Sequence, residues 1–326
     1  MNTLLNLFVS LIYASPFSTP LDHEATEFLA VKQVSIGMYG GCAILENGAL
    51  KCWGNNDYGQ LGLGNTAIMG NTANTIGDKL PLIELNSPTI PVQVVSNSYS
   101  TCVLFESGKV KCWGRNSSGQ LGYEDVTTRG SIASSVPSKL PFLDLDAKLK
   151  VKKITGKGSN SFCALFENGQ VKCWGANGSG QLGLGSTKFY GNEKKTMGSK
   201  LPFLNFGKEK TVVDIAAANH VCAILNTDEV KCWGVSTAGK TGSGTEQPIG
   251  DFPEETPDKL SPINLGVSDA RPVQISTSLT HTCVLFDNGR AKCFGENDYG
   301  QLGLGHTQSV GLGDTMGEKL PYLELG

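Results

Sequence analysis

The sequence predicts an all-β fold, and two features of the chain carry that prediction. The 326 residues include 41 glycines, which is roughly twice the usual share. Glycines in such numbers indicate many tight turns between short strands. The second feature is a repeat of about 60 residues that occurs five times. A fixed period is typical of folds in which similar units pack side by side, because one unit cannot bury its apolar surface alone.

Each repeat is marked by two cysteines with nine residues between them and by the text around them. In the second repeat this text is CVLFESGKVKCWG, and near-copies of it occur in the other four. A Gly-Gln-Leu-Gly tetrapeptide follows in four repeats, and the fourth repeat has Gly-Lys-Thr-Gly at that place. Five copies at one period make the repeat the dominant signal in this chain.

The second repeat illustrates the four strands that we predict for each unit. Residues 91–95 alternate between apolar and polar side chains, as a half-buried strand does. Residues 102–105 and 109–113 flank a turn and predict a hairpin. Residues 140–145 supply a fourth strand, which is entered through a proline suited to a strand start. Four short strands per repeat predict a β-propeller of about five four-stranded blades. Five repeats most simply close into a ring in which the first and last repeats meet, and the alternative is an arc that needs a partner or a missing segment.

The turn inside the hairpin fixes where the cysteines lie. If residues 46–48 form a three-residue loop with Gly48 in the left-handed conformation, Cys42 lies directly opposite Cys52. The same count pairs the cysteines of every repeat at a non-hydrogen-bonded position, where opposite Cα atoms approach to about 4.5 Å. The fourth repeat has Asp228 at the glycine position, and Asp tolerates this conformation better than most residues.

Three interpretations of the cysteines compete. Disulfides account for the even number and the register, and they suit an exported chain. A zinc site is weaker, because nine intervening residues match no common ligand spacing. Unpaired core thiols in a cytosolic propeller are the third interpretation. We favour disulfides, each worth about 2–3 kcal/mol. The predicted pairs are Cys42–Cys52, Cys102–Cys112, Cys163–Cys173, Cys222–Cys232 and Cys283–Cys293.

The first residues of the chain predict export. Residues 4–14 form an apolar run of signal-peptide length that ends at small residues. We therefore predict a signal peptide over 1–15, an N-terminal segment over 16–29 and a propeller domain over 30–326. This organisation predicts a secreted or cell-surface protein, with a cytoplasmic location as the alternative. The five repeats are expected at about 30–89, 90–149, 150–210, 211–270 and 271–326.

An aromatic residue and a lysine recur beside the second cysteine of each repeat. We interpret the aromatic residues as packing anchors between blades rather than as ligand contacts. We interpret the lysines as solvated strand residues rather than as a cationic ring. The aromatic residues are Trp53, Trp113, Trp174, Trp233 and Phe294, and the lysines are Lys51, Lys111, Lys172, Lys231 and Lys292.

Variable stretches and asparagines complete the repeat. Residues 63–78 and their counterparts differ in sequence between repeats, so we expect long loops on one face, where any ligand would bind.

Asn116 and Asn177 lie in Asn-X-Ser sequons and are candidate glycosylation sites if the host is a eukaryote. We interpret His220 and His281 as structural.

The run from the hairpin through Trp-Gly to Gly-Gln-Leu-Gly resembles the repeat of the regulator of chromosome condensation family. The resemblance covers residue 30 to the end, and the paired cysteines are similar to those of secreted or surface-attached members. It implies a propeller that binds other proteins. The founding member is a guanine-nucleotide exchange factor for a nuclear small GTPase that also binds chromatin, and another member is a secreted inhibitor of β-lactamases. Family propellers usually have seven blades, whereas this chain has five repeats, and no catalytic residue of the family maps onto it.

Composition narrows the classes of function. The net charge of −3 disfavours a nucleic-acid partner, and no apolar run is long enough to predict a membrane span. No catalytic motif, metal cluster or cofactor loop stands out, so we expect no enzyme activity, no metal and no cofactor. Our first hypothesis is a disulfide-stabilised scaffold that binds a protein partner through loops on one face. The alternative is a guanine-nucleotide exchange factor with a small GTPase as partner.

Overall fold

The computed structural model describes residues 29–158 and 160–326, and the predicted signal peptide and most of the 16–29 segment lie outside them. The described residues form five antiparallel sheets of three strands, each in chain order, which we call blades 1 to 5. The strands are β1 Val31–Ile36, β2 Gly40–Leu45, β3 Leu50–Gly54, β4 Pro91–Ser96, β5 Ser100–Phe105, β6 Val110–Gly114, β7 Val151–Thr155, β8 Ser161–Phe166, β9 Val171–Gly175, β10 Val212–Ala217, β11 His220–Leu225, β12 Val230–Gly234, β13 Pro272–Thr277, β14 His281–Phe286 and β15 Ala291–Gly295. Short 3-10 helices cover Ala73–Thr75, Gly77–Lys79, Pro137–Lys139, Gly198–Lys200, Thr237–Gly239, Pro253–Glu255 and Gly317–Lys319. No helix in the described ranges is long and apolar enough to cross a bilayer.

The prediction of four strands per blade is wrong, because the fourth segment does not form a ladder. In blade 1 its backbone hydrogen bond to the third strand runs from the Ile83 N–H to the Leu50 carbonyl, at 2.9 Å. Alternate N–H groups of a strand point to the same neighbour, and two residues earlier Pro81 has no N–H to donate. The same single bond recurs once in each of the other blades, from Leu143, Leu204, Ile263 and Leu323.

The predicted hairpin register is confirmed. Cys42 pairs with Cys52 across β2 and β3, the Leu45 N–H bonds the Ala49 carbonyl at 2.9 Å, and Gly48 has a φ of +81°. Asp228 takes the same left-handed conformation in blade 4, with a φ of +64°. All five hairpins hold a disulfide between opposite cysteines, with Cα atoms 4.0 to 4.1 Å apart. Each disulfide therefore closes a single blade.

The hydrophobic core lies between the blades rather than within them. Each of four apolar clusters is built from the two facing sides of consecutive blades. In the first, Ile44 and Leu50 of blade 1 pack with Val94, Phe105 and Trp113 of blade 2. We call the side of a blade that faces the preceding blade its leading face, and the opposite side its trailing face.

Four of the five recurring aromatic residues, Trp113, Trp174, Trp233 and Phe294, are confirmed as anchors between blades, whereas Trp53 of blade 1 is half-buried and lies in none of the four clusters. The indole Nε1 of Trp113 donates a 3.0 Å hydrogen bond to the Gln60 carbonyl oxygen in the Gly-Gln-Leu-Gly turn of the preceding blade. Trp174 and Trp233 make the same bond to the carbonyls of Gln120 and Gln181. All three indoles are fully buried, and the N–H group of each finds its hydrogen-bond acceptor in the preceding blade.

The interpretation of the recurring lysines as solvated is wrong for four of the five. Lys111, Lys172, Lys231 and Lys292 are at most 2% exposed, and burial lowers the pKa of each ammonium group. Their Nζ atoms donate to backbone carbonyls of the irregular segments, as Lys172 does to Leu145 at 2.6 Å. Because the fourth segment forms no strand ladder, some of its neighbouring backbone carbonyls lack a backbone donor. The buried lysines supply that donor: the aliphatic part of each side chain crosses the core, and its ammonium group donates to these carbonyls.

The predicted closure of the ring is also wrong, since the blades form an open arc. Within the described residues, consecutive blades share the four apolar clusters, and no such cluster joins blade 5 to blade 1. The first strands of consecutive blades are also linked: the Gln33 side chain of β1 makes two hydrogen bonds to the Val94 backbone of β4, at 2.8 and 3.1 Å. The equivalent Gln274 of blade 5 is exposed, and the described chain gives it no partner on β1.

Candidate protein-interaction site

Three tyrosines and one arginine cluster on one face of the propeller, where blades 1 and 2 meet. The rings of Tyr39 and Tyr99 have centroids 5.3 Å apart, and the Tyr58 ring meets Tyr99 edge-on at 5.1 Å. The guanidinium of Arg115 lies 5.2 Å from the Tyr58 ring centre and 5.6 Å from that of Tyr99. We call these four residues the Tyr–Arg cluster.

Tight turns hold the Tyr–Arg cluster in place. Tyr39 and Tyr99 each end the turn between the first two strands of their blades. The Arg115 N–H donates to the Tyr99 carbonyl at 2.9 Å, so the arginine is tied to the turn that it contacts. The Tyr58 N–H donates to the side-chain carbonyl of Gln60 at 3.0 Å. These bonds fix the backbone at Tyr58, Tyr99 and Arg115, and such fixing lowers the entropy cost of binding a partner.

The Tyr–Arg cluster has the composition of an interface hot spot. Tyr39 is 49% exposed, whereas Tyr58, Tyr99 and Arg115 are half-buried, so the rings offer edges and hydroxyl groups to solvent. A hydrogen bond to the neighbouring Tyr39 side chain, with a smaller contribution from desolvation, raises the pKa of the Tyr99 hydroxyl above its usual value. The Tyr99 hydroxyl is therefore a neutral donor at physiological pH. Tyrosine and arginine dominate the binding energy of many protein interfaces.

The long variable loops, which we predicted as the binding region, also form hydrogen bonds that link consecutive blades. The Gly64 N–H donates to the Gly130 carbonyl of the next loop at 2.9 Å, so consecutive loops are bonded to each other. In the next pair of loops, a Glu124 carboxylate oxygen accepts from the N–H groups of Thr196 and Met197, at 2.9 and 3.0 Å. The loops also expose apolar side chains, including Ile132 at 59% and Phe252 at 60%. Ligand binding by these loops stays a prediction.

The two sequon asparagines lie inside the fold. Asn116 and Asn177 are fully buried, and their Oδ1 atoms accept from the N–H groups of Leu121 and Leu182. The Asn116 Nδ2 donates to the Asp125 carbonyl at 2.8 Å, which anchors the start of a long loop. A glycan on Nδ2 would displace this bond. Glycosylation of Asn116 and Asn177 stays a prediction.

Two histidines lie at the junction of blades 4 and 5. The buried His220 Nε2 lies 2.6 Å from the Thr282 hydroxyl, and Lys240 replaces the usual glutamine in the neighbouring turn. Desolvation, together with the charges of Lys240 and His281, lowers the pKa of His220 to about 3. Desolvation likewise lowers the pKa of His281. Across residues 29–158 and 160–326, no group of three or more His, Cys, Asp or Glu side chains could hold a metal ion.

The Tyr–Arg cluster was not among the predicted sites, although the sequence carries one signal for it. Tyr39 and Tyr99 both stand three positions before the first cysteine of their repeats. The other repeats carry Asn160, Asn219 and Thr280 there, so the aromatic pair singles out the junction of blades 1 and 2. The approach of Arg115 and Tyr58 depends on how two blades are set beside each other, and no spacing within one repeat encodes it.

Comparison with known proteins decides the family. A sequence model described as the regulator of chromosome condensation (RCC1) repeat matches residues 31–60, 92–120, 151–181 and 273–301, and a second model of the same description matches 47–104 and 168–225. Together they match more than half of the chain. The chain belongs to the RCC1 repeat family.

Relatives and solved structures agree with this family. The Arabidopsis thaliana ultraviolet-B receptor UVR8 is 28% identical over 78% of this RCC1-repeat chain and 50% of its own length. The human X-linked retinitis pigmentosa GTPase regulator is 27% identical over 83% of the chain and 28% of its own length. Prp20p from Saccharomyces cerevisiae, in a structure reported with its binding properties to Gsp1p and histones, has a TM-score of 0.63 and 20% identity, covering 90% of this chain and 63% of its own. The chain thus spans half or less of these two curated relatives, and the structure supports the propeller fold.

Proposed function

We propose that this RCC1-repeat propeller is a protein-binding scaffold whose contact surface is the Tyr–Arg cluster. The observation that carries the proposal is the packing of one exposed and two half-buried tyrosine rings beside a guanidinium that none of the described carboxylates pairs with. A partner segment that places a carboxylate next to an apolar side chain fits this surface, because arginine pairs with carboxylates and tyrosine rings bury apolar groups. RCC1-repeat relatives act mainly as regulators or binding proteins, which supports a scaffold role.

A peptide library tests the scaffold proposal without knowledge of the partner. Random peptides displayed on phage are selected on the native protein, and each binder is measured again on Tyr99→Ala and Arg115→Ala variants. We expect most binders to carry Asp or Glu beside an apolar residue and to lose at least tenfold in affinity on both variants. Tyr299→Ala is the matched control, because Tyr299 is 90% exposed on blade 5 and has no ring contact among the described residues. Binders that are insensitive to the first two variants would place the contact surface elsewhere.

The same proposal includes export from the cell. Five disulfides and no free cysteine in the described chain suit an oxidising compartment, where small thiol reductants do not open them. Expression of the full chain in its host, followed by N-terminal sequencing of the protein in the medium or on the cell surface, tests this part. A mature N-terminus close to residue 16 is expected. Recovery of the chain only inside the cell, with residue 1 retained, would favour the cytoplasmic alternative.

The second candidate is nucleotide exchange on a small GTPase, which the founding member of the family and the name of a GTPase-regulator relative suggest. Release of a fluorescent nucleotide from a panel of small GTPases tests it. Acceleration at micromolar protein would support exchange activity, and Tyr99→Ala would then show whether the Tyr–Arg cluster takes part.

A further inference from the structure

A cleft of about 600 Å³ lies where the chain passes from blade 4 to blade 5. The β11–β12 hairpin forms one wall, and the linker 266–271 and the start of β13 form the other. The two turns of a three-stranded antiparallel sheet lie at opposite ends, so the cleft and the Tyr–Arg cluster lie at opposite ends of the blades. The volume falls within the range of about 300–1,000 Å³ that is usual for ligand pockets.

Asp228 helps to open the cleft, because it replaces a glycine that touches the following linker in other blades. In blade 2, a Cβ atom on Gly108 would lie 2.7 Å from the Cβ atom of Lys150. In blade 3, a Cβ atom on Gly169 would lie 2.6 Å from that of Thr211. Asp228 does carry a Cβ atom, so the hairpin of blade 4 and the linker after it must stand further apart.

Two further differences in this linker act in the same direction. It has six residues, whereas the equivalent linkers have five: 86–90, 146–150 and 207–211. At the junction of blades 3 and 4, the N–H of Val212 donates to the Gly169 carbonyl of the preceding hairpin at 2.8 Å. Pro272 is the equivalent residue of β13 and has no N–H, so it cannot tie its strand to the hairpin of blade 4.

The backbone of the linker is free to pair with a ligand. Among the described residues, no hydrogen bond uses the N–H or carbonyl group of any of residues 267–270. In the linker before blade 3, by contrast, the Asp146 carboxylate accepts from the N–H groups of Lys148 and Leu149, at 2.8 and 3.1 Å. Unpaired main-chain donors and acceptors can bond the main chain of a bound peptide.

The cleft attracts positive charge. Asp228 and Asp269 line it, and neither forms an ion pair with a described basic side chain, whereas its other two acidic residues, Glu229 and Asp287, each do. The repeat 211–270 carries nine Asp and Glu residues against three lysines and no arginine, so the surroundings keep the cleft negative. No group of three or more described His, Cys, Asp or Glu side chains could hold a metal ion, which favours an organic cation as the ligand.

We propose that this cleft binds a basic segment of a partner protein, with an arginine or lysine paired to Asp228 and Asp269. The main chain of the segment bonds to residues 267–270. An apolar side chain next to the basic one packs on Val267 and Ala270, which are half-buried against the apolar cluster between the trailing face of blade 4 and the leading face of blade 5. The site does not depend on the Tyr–Arg cluster, because the two surfaces lie at opposite ends of the blades and select ligands of opposite charge.

A labelled peptide tests the proposal on the full chain. The probe is a fluorescent heptapeptide in which two arginines alternate with three valines between terminal glycines, and its binding is measured by fluorescence anisotropy. We expect saturable binding that falls about tenfold or more on Asp228→Asn and on Asp269→Asn, because each variant removes a charged hydrogen-bond acceptor. Asn tolerates the left-handed conformation of residue 228, so the turn is kept. Asp298→Asn is the matched control, since it removes the same charge from an exposed residue at the other end of blade 5 and should leave the affinity unchanged.

Changes to the probe separate its charge from its main chain. Replacement of both arginines by glutamate should abolish binding, and N-methylation of alternate amides should weaken it about tenfold or more. Tyr99→Ala and Arg115→Ala should bind the probe normally, which distinguishes this site from the proposed scaffold surface. Binding that survives both Asn substitutions, that falls equally in Asp298→Asn or that is unaffected by N-methylation overturns the proposal, as does the absence of saturable binding at millimolar probe. Sedimentation of the native chain as a dimer that Asp228→Asn dissociates would assign the cleft to a second copy and overturn it as well.

Discussion

The indole Nε1 of Trp113 donates to the carbonyl oxygen of Gln60 at 3.0 Å, and this bond joins two blades through the middle of an apolar junction. The residue that accepts belongs to the Gly-Gln-Leu-Gly turn, and the residue that donates follows the second cysteine of the next repeat. The two most regular sequence signals of the chain are thus the two halves of one contact. In the junction of blades 4 and 5 both halves change together, to Lys240 and Phe294.

Trp113→Phe should destabilise the protein by about 0.5–1.5 kcal/mol, because it removes one buried hydrogen bond to the Gln60 carbonyl and leaves the Thr101 hydroxyl, at 2.9 Å, as the remaining donor. Trp53→Phe is the matched control and should change the free energy of unfolding by less than about 0.5 kcal/mol, since its indole has no acceptor in the described chain. Chemical denaturation of both variants measures the difference. An equal loss in the two variants would show that the bond between blades contributes nothing.

Lys172→Met should destabilise by about 2–4 kcal/mol, although it replaces a buried charge by an apolar side chain. The Lys172 Nζ donates to the carbonyls of Leu145 and Gly198 at 2.6 and 2.8 Å. In the variant the Leu145 carbonyl would be left unpaired in the core, and the Gly198 carbonyl would keep only the Leu201 N–H, at 3.3 Å. Lys51→Met is the control, because the Lys51 Nζ bonds a single exposed carbonyl on blade 1. If thermal denaturation shows Lys172→Met to be neutral, the role that we assign to the buried lysines is wrong.

Stability should fall as the pH drops below the ordinary histidine range, and His220 should account for part of the fall. Its pKa is lowered to about 3 in the folded protein, whereas the unfolded chain has the ordinary value of about 6.5. Between these two pH values the unfolded chain binds a proton at His220 and the folded protein does not. The stabilisation is complete above pH 6.5 and is lost as the pH falls towards 3, with about 1 kcal/mol lost between pH 7.5 and 5.5. Denaturation at several pH values should show a smaller slope for His220→Gln. His281 titrates in the same direction and remains in the variant. An unchanged slope would show that His220 is not the proton-linked group.

The hairpins were predictable from the sequence because their geometry is local. Gly48 and its equivalents set the turn, the turn sets the register, and the register places the cysteines opposite each other. The failed predictions concern contacts between distant segments. Pro81 has no N–H, so the fourth segment of blade 1 forms no ladder with the third strand. In blades 2 to 5, backbone carbonyls of the irregular segments accept instead from the buried lysine, which the pattern of its own strand predicts to be solvated. The Tyr–Arg cluster was not predictable for the same reason, since Tyr58 and Tyr99 meet only across a blade junction.

The central claim is that each blade is closed by a disulfide between two facing strands, and thiol counting on the native protein tests it most directly. The protein is unfolded without reductant, alkylated, digested and analysed by mass spectrometry. We predict no alkylated cysteine and five linked peptides, each joining the two cysteines of one hairpin. Ten alkylated cysteines, or links between different blades, would contradict the account.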